Sequence, residues 1–332
     1  MKVAINGFGR IGRLVLRAFF ESNKYDFEIV TINDLLDIDS ALHLLKYDSV
    51  HGPFSCDVQK ISNTLFSING KRITYVSEKS PENLPWNEFG IDLLLECTGV
   101  FKTKAQCQAH LKAGAKRVLI SCPSNDVDRT VVYGVNDDSI DKANDFVISN
   151  ASCTTNCLAP LVRAIHGEIG IMSGFATTVH SYTGDQRLID AGHLDMRRAR
   201  AAALNMIPTS TGATKAIEQI FPELTGRLSG LSIRVPTANV SMVDFTFQTS
   251  LRTTAEDLNA AVVRYSNGPL KGVLGYTDES LVSSDFNHNP LSSIIDTQLT
   301  KVIAGNMAHM VAWYDNEWGF SNRMLDVARC FL

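Results

Sequence analysis

The sequence predicts an α/β chain of two domains. The first is a doubly wound, largely parallel sheet over residues 1–150, and the second is an α+β domain with a mixed or antiparallel sheet. Three observations carry this expectation. Short apolar runs, "KVAIN", "IVTIN", "DLLLECT", "RVLIS" and "FVISN", recur through the first half with helix-like segments between several of them, the signature of βαβ units. After residue 150 the runs lengthen to "GFATTVHSYT", "GLSIRVPTANVSMVDFTFQTS" and "MAHMVAWYDN", with helical spacing set apart at 155–167, 212–221 and 254–266. The 332 residues, 45% of them hydrophobic, suffice for two cores.

The first strand, "KVAIN", runs directly into Gly7-Phe8-Gly9-Arg10-Ile11-Gly12, which opens a segment with Ile11, Leu14, Val15, Ala18 and Phe19 at helical spacing. Glycine at these places permits a tight turn, bares the backbone to a pyrophosphate at a helix N-terminus, and allows close packing of helix on strand. The second strand, "IVTIND", ends in Asp34, close to the roughly 20-residue offset at which a carboxylate accepts from ribose hydroxyls and repels a 2′-phosphate. A lone aspartate there is equally read as a cap. Fingerprint, strand and spacing together predict a Rossmann-type dinucleotide site with NAD as cofactor. The stretch "FSCDVQKISNTLFSINGKRITYVSE" alternates at period two around "NG", a hairpin inserted into the pattern.

Where "FVISN" ends, "ASCTTNC" begins a helix. Most free cysteines are small buried hydrophobes, but Cys153 falls in a first helical turn, where unpaired N–H groups and the helix dipole favour thiolate. A nucleophile there needs a base, and His180, at the end of "FATTVH" and before the polar turn "SYTGD", is the best placed of eight histidines. A hydrogen-bonded core histidine is the competing reading. Cys157, one turn further on, is read as core packing. Hydroxyls and arginines gather nearby in sequence: Ser152, Thr154, Thr183, Thr209, Ser210, Thr211 with Gly212, then Arg197, Arg198, Arg200 and Arg234. Anion recognition needs such donors, although solvated loop residues are the safer reading for most of the arginines. Residues 182–206 have no clean strand period and read as a functional loop or a poorly packed helix.

The net charge of −4 comes from interleaved signs, 31 basic and 35 acidic, which gives no support for a nucleic-acid or membrane surface. No run approaches the roughly 18 apolar residues of a membrane span. Seven cysteines at irregular spacing indicate reduced thiols and a cytoplasmic protein, and no Cys/His pair accompanies Cys153 and Cys157 at zinc spacing. No metal is expected.

"AINGFGRIGR", "ASCTTNCLAP", "HSYTGDQ", "RRARAAA", "IPTSTGATKA", "RVPT" and "WYDNEWG" together resemble phosphorylating glyceraldehyde-3-phosphate dehydrogenase of the bacterial cytosolic, NAD-dependent type, over residues 2 to about 330. The resemblance implies that Cys153 attacks the aldehyde of glyceraldehyde 3-phosphate while His180 takes the proton. It further implies hydride transfer to NAD and attack of inorganic phosphate on a Cys153 thioester. It assigns the substrate phosphate to Thr183, Asp185 and Arg234, and the attacking phosphate to Ser152, Thr154, Thr211 and Gly212, with Arg198 among the anion donors. Cofactor residues fall on Arg10, Ile11, Asp34, Thr98, Gly99, Ser121 and Asn316. The helix at about 316–332 is expected to return to the nucleotide domain, leaving 151–315 as the catalytic domain. The loop 182–206 is expected to build a homotetramer.

Two departures bear on the cofactor. Ala191-Gly192 stands where many strictly NAD-dependent members carry Leu-Pro, and Lys79 in "SEKSP" replaces a more usual arginine on the adenine side. Two rival readings remain. Erythrose-4-phosphate dehydrogenase shares the fold, Cys and His, but departs in the stretches matching "HSYTGDQ" and "PTSTGA". A noncatalytic binding protein would not need to keep the nucleophile, base and both anion patterns.

Overall fold

The apolar runs of the first half become the middle of a nine-stranded sheet in the computed structural model, which describes residues 1–22 and 24–332. Its order is Arg129–Thr130, Val147–Ser149, Val118–Ile120, Leu93–Glu96, Lys2–Asn6, Glu28–Asn33, Lys71–Val76, Leu65–Ile68 and Val58–Ser62. The first seven pair in parallel, and the last two join as antiparallel additions. The central runs are buried on both faces, as a parallel sheet covered by helices requires. Asn69-Gly70, with φ of 49° and 78°, makes the tight turn between Leu65–Ile68 and Lys71–Val76; two successive positive φ values give a type I′ hairpin.

The chain divides into two compact units. One holds Met1–Val131, Asn136–Ala151 and Ser321–Leu332; the other holds Val132–Val135 and Ser152–Phe320. The first has a core around Ala4, Trp86, Ile91, Leu94, Val118 and Val147. The second is built on a seven-stranded mixed sheet in the order Ile207–Thr209, Leu228–Val235, Ile171–Ser181, Ser241–Thr249, Met307–Tyr314, Ser293–Ile303 and Leu274–Thr277. "GLSIRVPTANVSMVDFTFQTS" is two strands, because Pro236 has no N–H to continue a ladder and the chain turns before Ser241. The helix Cys153–Glu168 lies on this sheet and packs against Ala213–Ile220 and Ala255–Asn267. Residues 182–206 form turns with one isolated bridge, Arg187 to Ala201, and no helix.

The glycine turn is where backbone geometry is most constrained. Gly7 has φ +90°, and a Cβ there would come within 2.6 Å of the Thr98 nitrogen. A Cβ on Gly12 would collide with the Gly7 carbonyl. Gly12→Ala is therefore expected to lift the helix Arg10–Ser22 off the first strand and cost on the order of 2 kcal/mol. Chemical denaturation should show the loss, and stability equal to the native protein would contradict the contact.

Candidate active site

In the first unit three adjacent parallel strands end in Asn6, Asn33 and Glu96, and the first two of these line a cleft of about 410 Å³. Ligands bind at this edge of open α/β sheets. Gly7, Gly9, Asp34, Lys79 and Thr98 line the cleft, with Leu35, Glu78, Leu84 and Phe101. A Cβ on Gly9 would meet nothing within 4 Å, so the turn offers bare backbone beside the first N–H groups of the helix Arg10–Ser22. This arrangement fits a dinucleotide.

Asp34 does more than face the cleft. Its carboxylate accepts from Phe8 N–H at 2.5 Å and from Leu36 N–H at 2.8 Å, fastening the glycine turn to the end of the second strand. The Arg10 guanidinium is turned to Asp48, at 2.6 Å and 3.3 Å, so what Arg10 offers the turn is its backbone. Ile11 and Gly12 follow in the first helical turns. Gly99, with φ +70°, follows Thr98. Ser121 sits beyond the strand Val118–Ile120, bonded through its N–H to the Glu96 carbonyl, and does not line the cleft.

The second unit brings Cys153 and His180 together. Ser152 caps the helix Cys153–Glu168 by accepting from Thr155 N–H at 3.0 Å. That leaves Cys153 in the first turn, preceded by Ala151 in the left-handed region at φ 55°, an uncommon conformation for a residue with a Cβ. The Cys153 Sγ lies 3.4 Å from His180 Nε2. His180 Nδ1 is 2.7 Å from the Ser181 carbonyl, and a carbonyl only accepts, so Nδ1 carries the ring proton. The Nε2 lone pair therefore faces the sulfur.

Parallel pairing of Ile171–Ser181 with Leu228–Val235 places Arg234 directly beside His180 in register. The Arg234 Nη1 is 3.1 Å from both His180 Nδ1 and the Ser181 carbonyl, and donates to the latter. Burial and then the Arg234 charge push His180 down to about 3, so its imidazole is neutral. Burial pushes the Cys153 thiol up, while Arg234 and the Thr154 hydroxyl and amide draw it back in part. Burial thus opposes the thiolate that the helix start and Arg234 favour. Cys157 is fully buried, its sulfur 3.7 Å from Ser293 Oγ.

Arg198 is held at three points, by Asp185 at 2.8 Å, Thr209 Oγ1 at 3.0 Å and the Ser210 carbonyl at 3.4 Å. Its charge reaches His180 and Arg234. Asp185 also faces His193 at 3.3 Å; as a carboxylate it orients Arg198 rather than donating to an anion. Arg197 and Arg200 are turned to the Pro208 carbonyl and Asp190. Thr183 opens the loop and its carbonyl takes Gln186 N–H. Thr211 Oγ1 accepts from Ala213 N–H at the start of Ala213–Ile220, with Gly212 at the cap. The buried Arg234 Nε has no partner within the protein, as a donor reserved for an anion would require.

Several residues at this site carried no sequence signal of their own. Tyr314 is fully buried, bonds Thr154 and Thr178 at 2.9 Å each, and sets its ring edge-on to His180. Ser181 and Ser241 donate to Asn316 Oδ1 at 2.9 Å and 2.8 Å, which turns the Asn316 N–H groups away from them. Only the quoted stretch "WYDNEWG" pointed to this strand end. Among the described residues no group of His, Cys, Asp and Glu could hold a metal ion.

Comparison with known proteins agrees across the chain. Residues 1–104 match a family profile described as glyceraldehyde 3-phosphate dehydrogenase, NAD binding domain, and residues 152–316 match its C-terminal domain. The chain is 55% identical over 328 residues to glyceraldehyde-3-phosphate dehydrogenase of Cereibacter sphaeroides, covering 99% of this chain and 97% of that protein. It is 54% identical over 330 residues to the plasmid-encoded glyceraldehyde-3-phosphate dehydrogenase of Cupriavidus necator, and 51% over 328 residues to that of Geobacillus stearothermophilus, with the same coverage.

The electrostatics at sulfur can be tested directly. Arg234→Leu removes the nearest cation, so the Cys153 thiol should titrate higher and its alkylation by iodoacetamide at neutral pH should slow. A shift of about one pKa unit corresponds to about tenfold. Mass spectrometry of the Cys153 peptide would follow the rate, and an unchanged or faster rate would show that the guanidinium does not act on the sulfur.

Proposed function

The chain belongs to the glyceraldehyde 3-phosphate dehydrogenase family, and from that membership we propose how its residues divide the work. The protein is an NAD-dependent oxidoreductase that converts glyceraldehyde 3-phosphate and inorganic phosphate to 1,3-bisphosphoglycerate. The observation that carries the assignment of residues is the Cys153 to His180 contact of 3.4 Å, with Nδ1 tied to Ser181.

Cys153 Sγ adds to the aldehyde carbon as its proton passes to His180 Nε2 and on to the forming alkoxide, giving a thiohemiacetal. His180, neutral and buried, then removes the hydroxyl proton as the carbon gives up hydride; bound NAD supplies the acceptor. The carbonyl re-forms as a thioester on Cys153. A phosphate oxygen attacks that carbon, the C–S bond breaks, and the thiolate leaves. Sulfur suits this role because it is a strong nucleophile and a good acyl leaving group. Arg234, through its unpartnered Nε, and Thr183 bind the substrate phosphate, with Asp185 holding Arg198 in place. Ser152, Thr154, Thr211 and Gly212 bind the attacking phosphate. First-turn N–H groups at Cys153 stabilise the oxyanion.

Gly7, Gly9, Gly12 and the backbone of Arg10 and Ile11 take the pyrophosphate, Asp34 the adenosine ribose, and Lys79 the adenine side. Thr98, Gly99 and Ser121 are further cofactor residues, and Asn316 holds the nicotinamide amide. The charge of Asp34 favours NAD over NADP. No observation favours the four-carbon aldehyde.

Self-association into a homotetramer through the loop 182–206 is supported by the strong exposure of Leu188, Ile189, Leu194, Met196, Leu204 and Met206 on this one segment. No helix among the described residues is long and apolar enough to cross a membrane. A cytoplasmic location is supported by seven free thiols, one of which must stay reduced to act.

NADH formation from glyceraldehyde 3-phosphate should require inorganic phosphate. Cys153→Ser should abolish it, and His180→Asn should lower kcat by roughly 10²- to 10⁴-fold, the usual worth of a general base. Phosphate-independent turnover, or activity retained by Cys153→Ser, would remove this assignment.

A further inference from the structure

Beneath the cleft of the first unit runs a buried polar chain that the reaction itself does not use. At its centre is Glu96, fully buried at the end of Leu93–Glu96. One carboxylate oxygen accepts from Thr98 N–H at 2.8 Å and from the Thr98 hydroxyl. The other accepts from Asn6 Nδ2 at 2.6 Å and faces His110 Nε2 at 3.3 Å.

A carboxylate that only accepts dictates the orientation of everything attached to it. Asn6 must present its NH₂ to Glu96, so its Oδ1 accepts from Asn33 Nδ2 at 2.7 Å. Asn33 then has one arrangement left, with Nδ2 donating to the Glu78 carbonyl at 3.0 Å and Oδ1 accepting from Glu78 N–H at 2.9 Å. On the other side the Trp86 indole N–H, a donor only, gives to His110 Nδ1 at 3.2 Å. That fixes the ring proton on His110 Nε2, pointing at Glu96. The chain joins the two lips of the cleft, Glu78 with Lys79 on one side and Thr98 on the other.

We propose that Glu96 is a positioning residue for the dinucleotide: through Asn6 and Asn33 to the Glu78 backbone, and directly through Thr98, its carboxylate holds both lips of the cofactor cleft in register. This rests on reading the cleft as the NAD site. Glu96 itself is fully buried and does not line the cleft. Its contribution is the single hydrogen-bond direction it imposes on the chain.

Glu96→Gln keeps size and shape but places an NH₂ against donors. If that NH₂ faces Asn6 and His110, it meets the Asn6 NH₂, and His110 must also move its proton to Nδ1, against the Trp86 N–H. If it faces Thr98, it meets the Thr98 N–H. Trp86→Phe removes the indole donor and frees His110 to accept at Nε2.

The test measures NAD affinity by calorimetry, and KM for NAD and kcat by NADH formation, for native protein, Glu96→Gln, Trp86→Phe and the double variant. Glu96→Gln should weaken NAD binding and raise its KM by about tenfold or more, as one buried mismatch implies, with kcat at saturating NAD within about twofold. The double variant should recover about threefold or more of the lost affinity. Affinity unchanged in Glu96→Gln, or a double variant weaker than Glu96→Gln, would overturn the proposal, as would a loss confined to kcat.

Should Glu96→Gln fail to fold, Asn33→Ser carries the test, since the Asn33 amide is spent on Asn6 and Glu78. It should raise KM for NAD with kcat kept, and native-like KM would again overturn the proposal. Native protein that binds no NAD would instead remove the reading of the cleft, and the positioning role with it.

Discussion

The Ser181 carbonyl accepts from His180 Nδ1 and from the Arg234 guanidinium at once, and the pairing of Cys153 with His180 depends on that shared acceptor. It fixes the imidazole tautomer, so that the lone pair rather than the proton of His180 meets Cys153. It also holds a cation against a histidine without a carboxylate between them. Burial penalises the imidazolium most, and Arg234 at 3.1 Å from Nδ1 adds to the penalty. The imidazole therefore stays neutral beside a sulfur whose thiol burial pushes up.

Both units use the same device at strand ends, a carboxylate that accepts backbone N–H groups and so sets the direction of the bonds around it. Asp34 fastens the glycine turn, Glu96 organises the chain under the cleft, and buried Asp315 accepts from the N–H groups of His288, Glu317 and Trp318 and from Asn239. Asp315 thereby ties down the start of the helix Trp318–Phe331 and sets the backbone next to Asn316. Several charge-assisted bonds offset the desolvation of each carboxylate. Losing one donor is tolerable; reversing one is not, because an acceptor cannot turn into a donor.

Much of the fold was legible because it is written in local periodicity. Short apolar runs with helical segments between them predicted the parallel strands, alternation around Asn69-Gly70 predicted its hairpin, and the longer runs after residue 150 predicted the long strands. The strand Ser293–Ile303 was not anticipated: "SIIDTQLTKVI" has a polar second half, and its pairing is interrupted between Asp296 and Lys301. Its place depends on Met307–Tyr314 alongside, not on its own pattern. The loop 182–206 offered two local readings, and only pairing within the fold decided against a helix.

By itself the sequence determined the two-part α/β character, the glycine turn with Asp34 after it, the helix with Cys153 in its first turn, and the family. These follow from short-range steric and hydrogen-bond rules, which act between near neighbours in the chain. Only the tertiary structure decided that His180 and Arg234 are paired partners, that Tyr314 bridges Thr154 and Thr178, that Arg10 turns to Asp48, and that Glu96 governs amides on two other strands. Each of these joins residues brought together by the register of neighbouring strands or by packing across the chain. A one-residue slip would turn every side chain of a strand to the other face, and register is a property of the folded sheet that no single segment encodes.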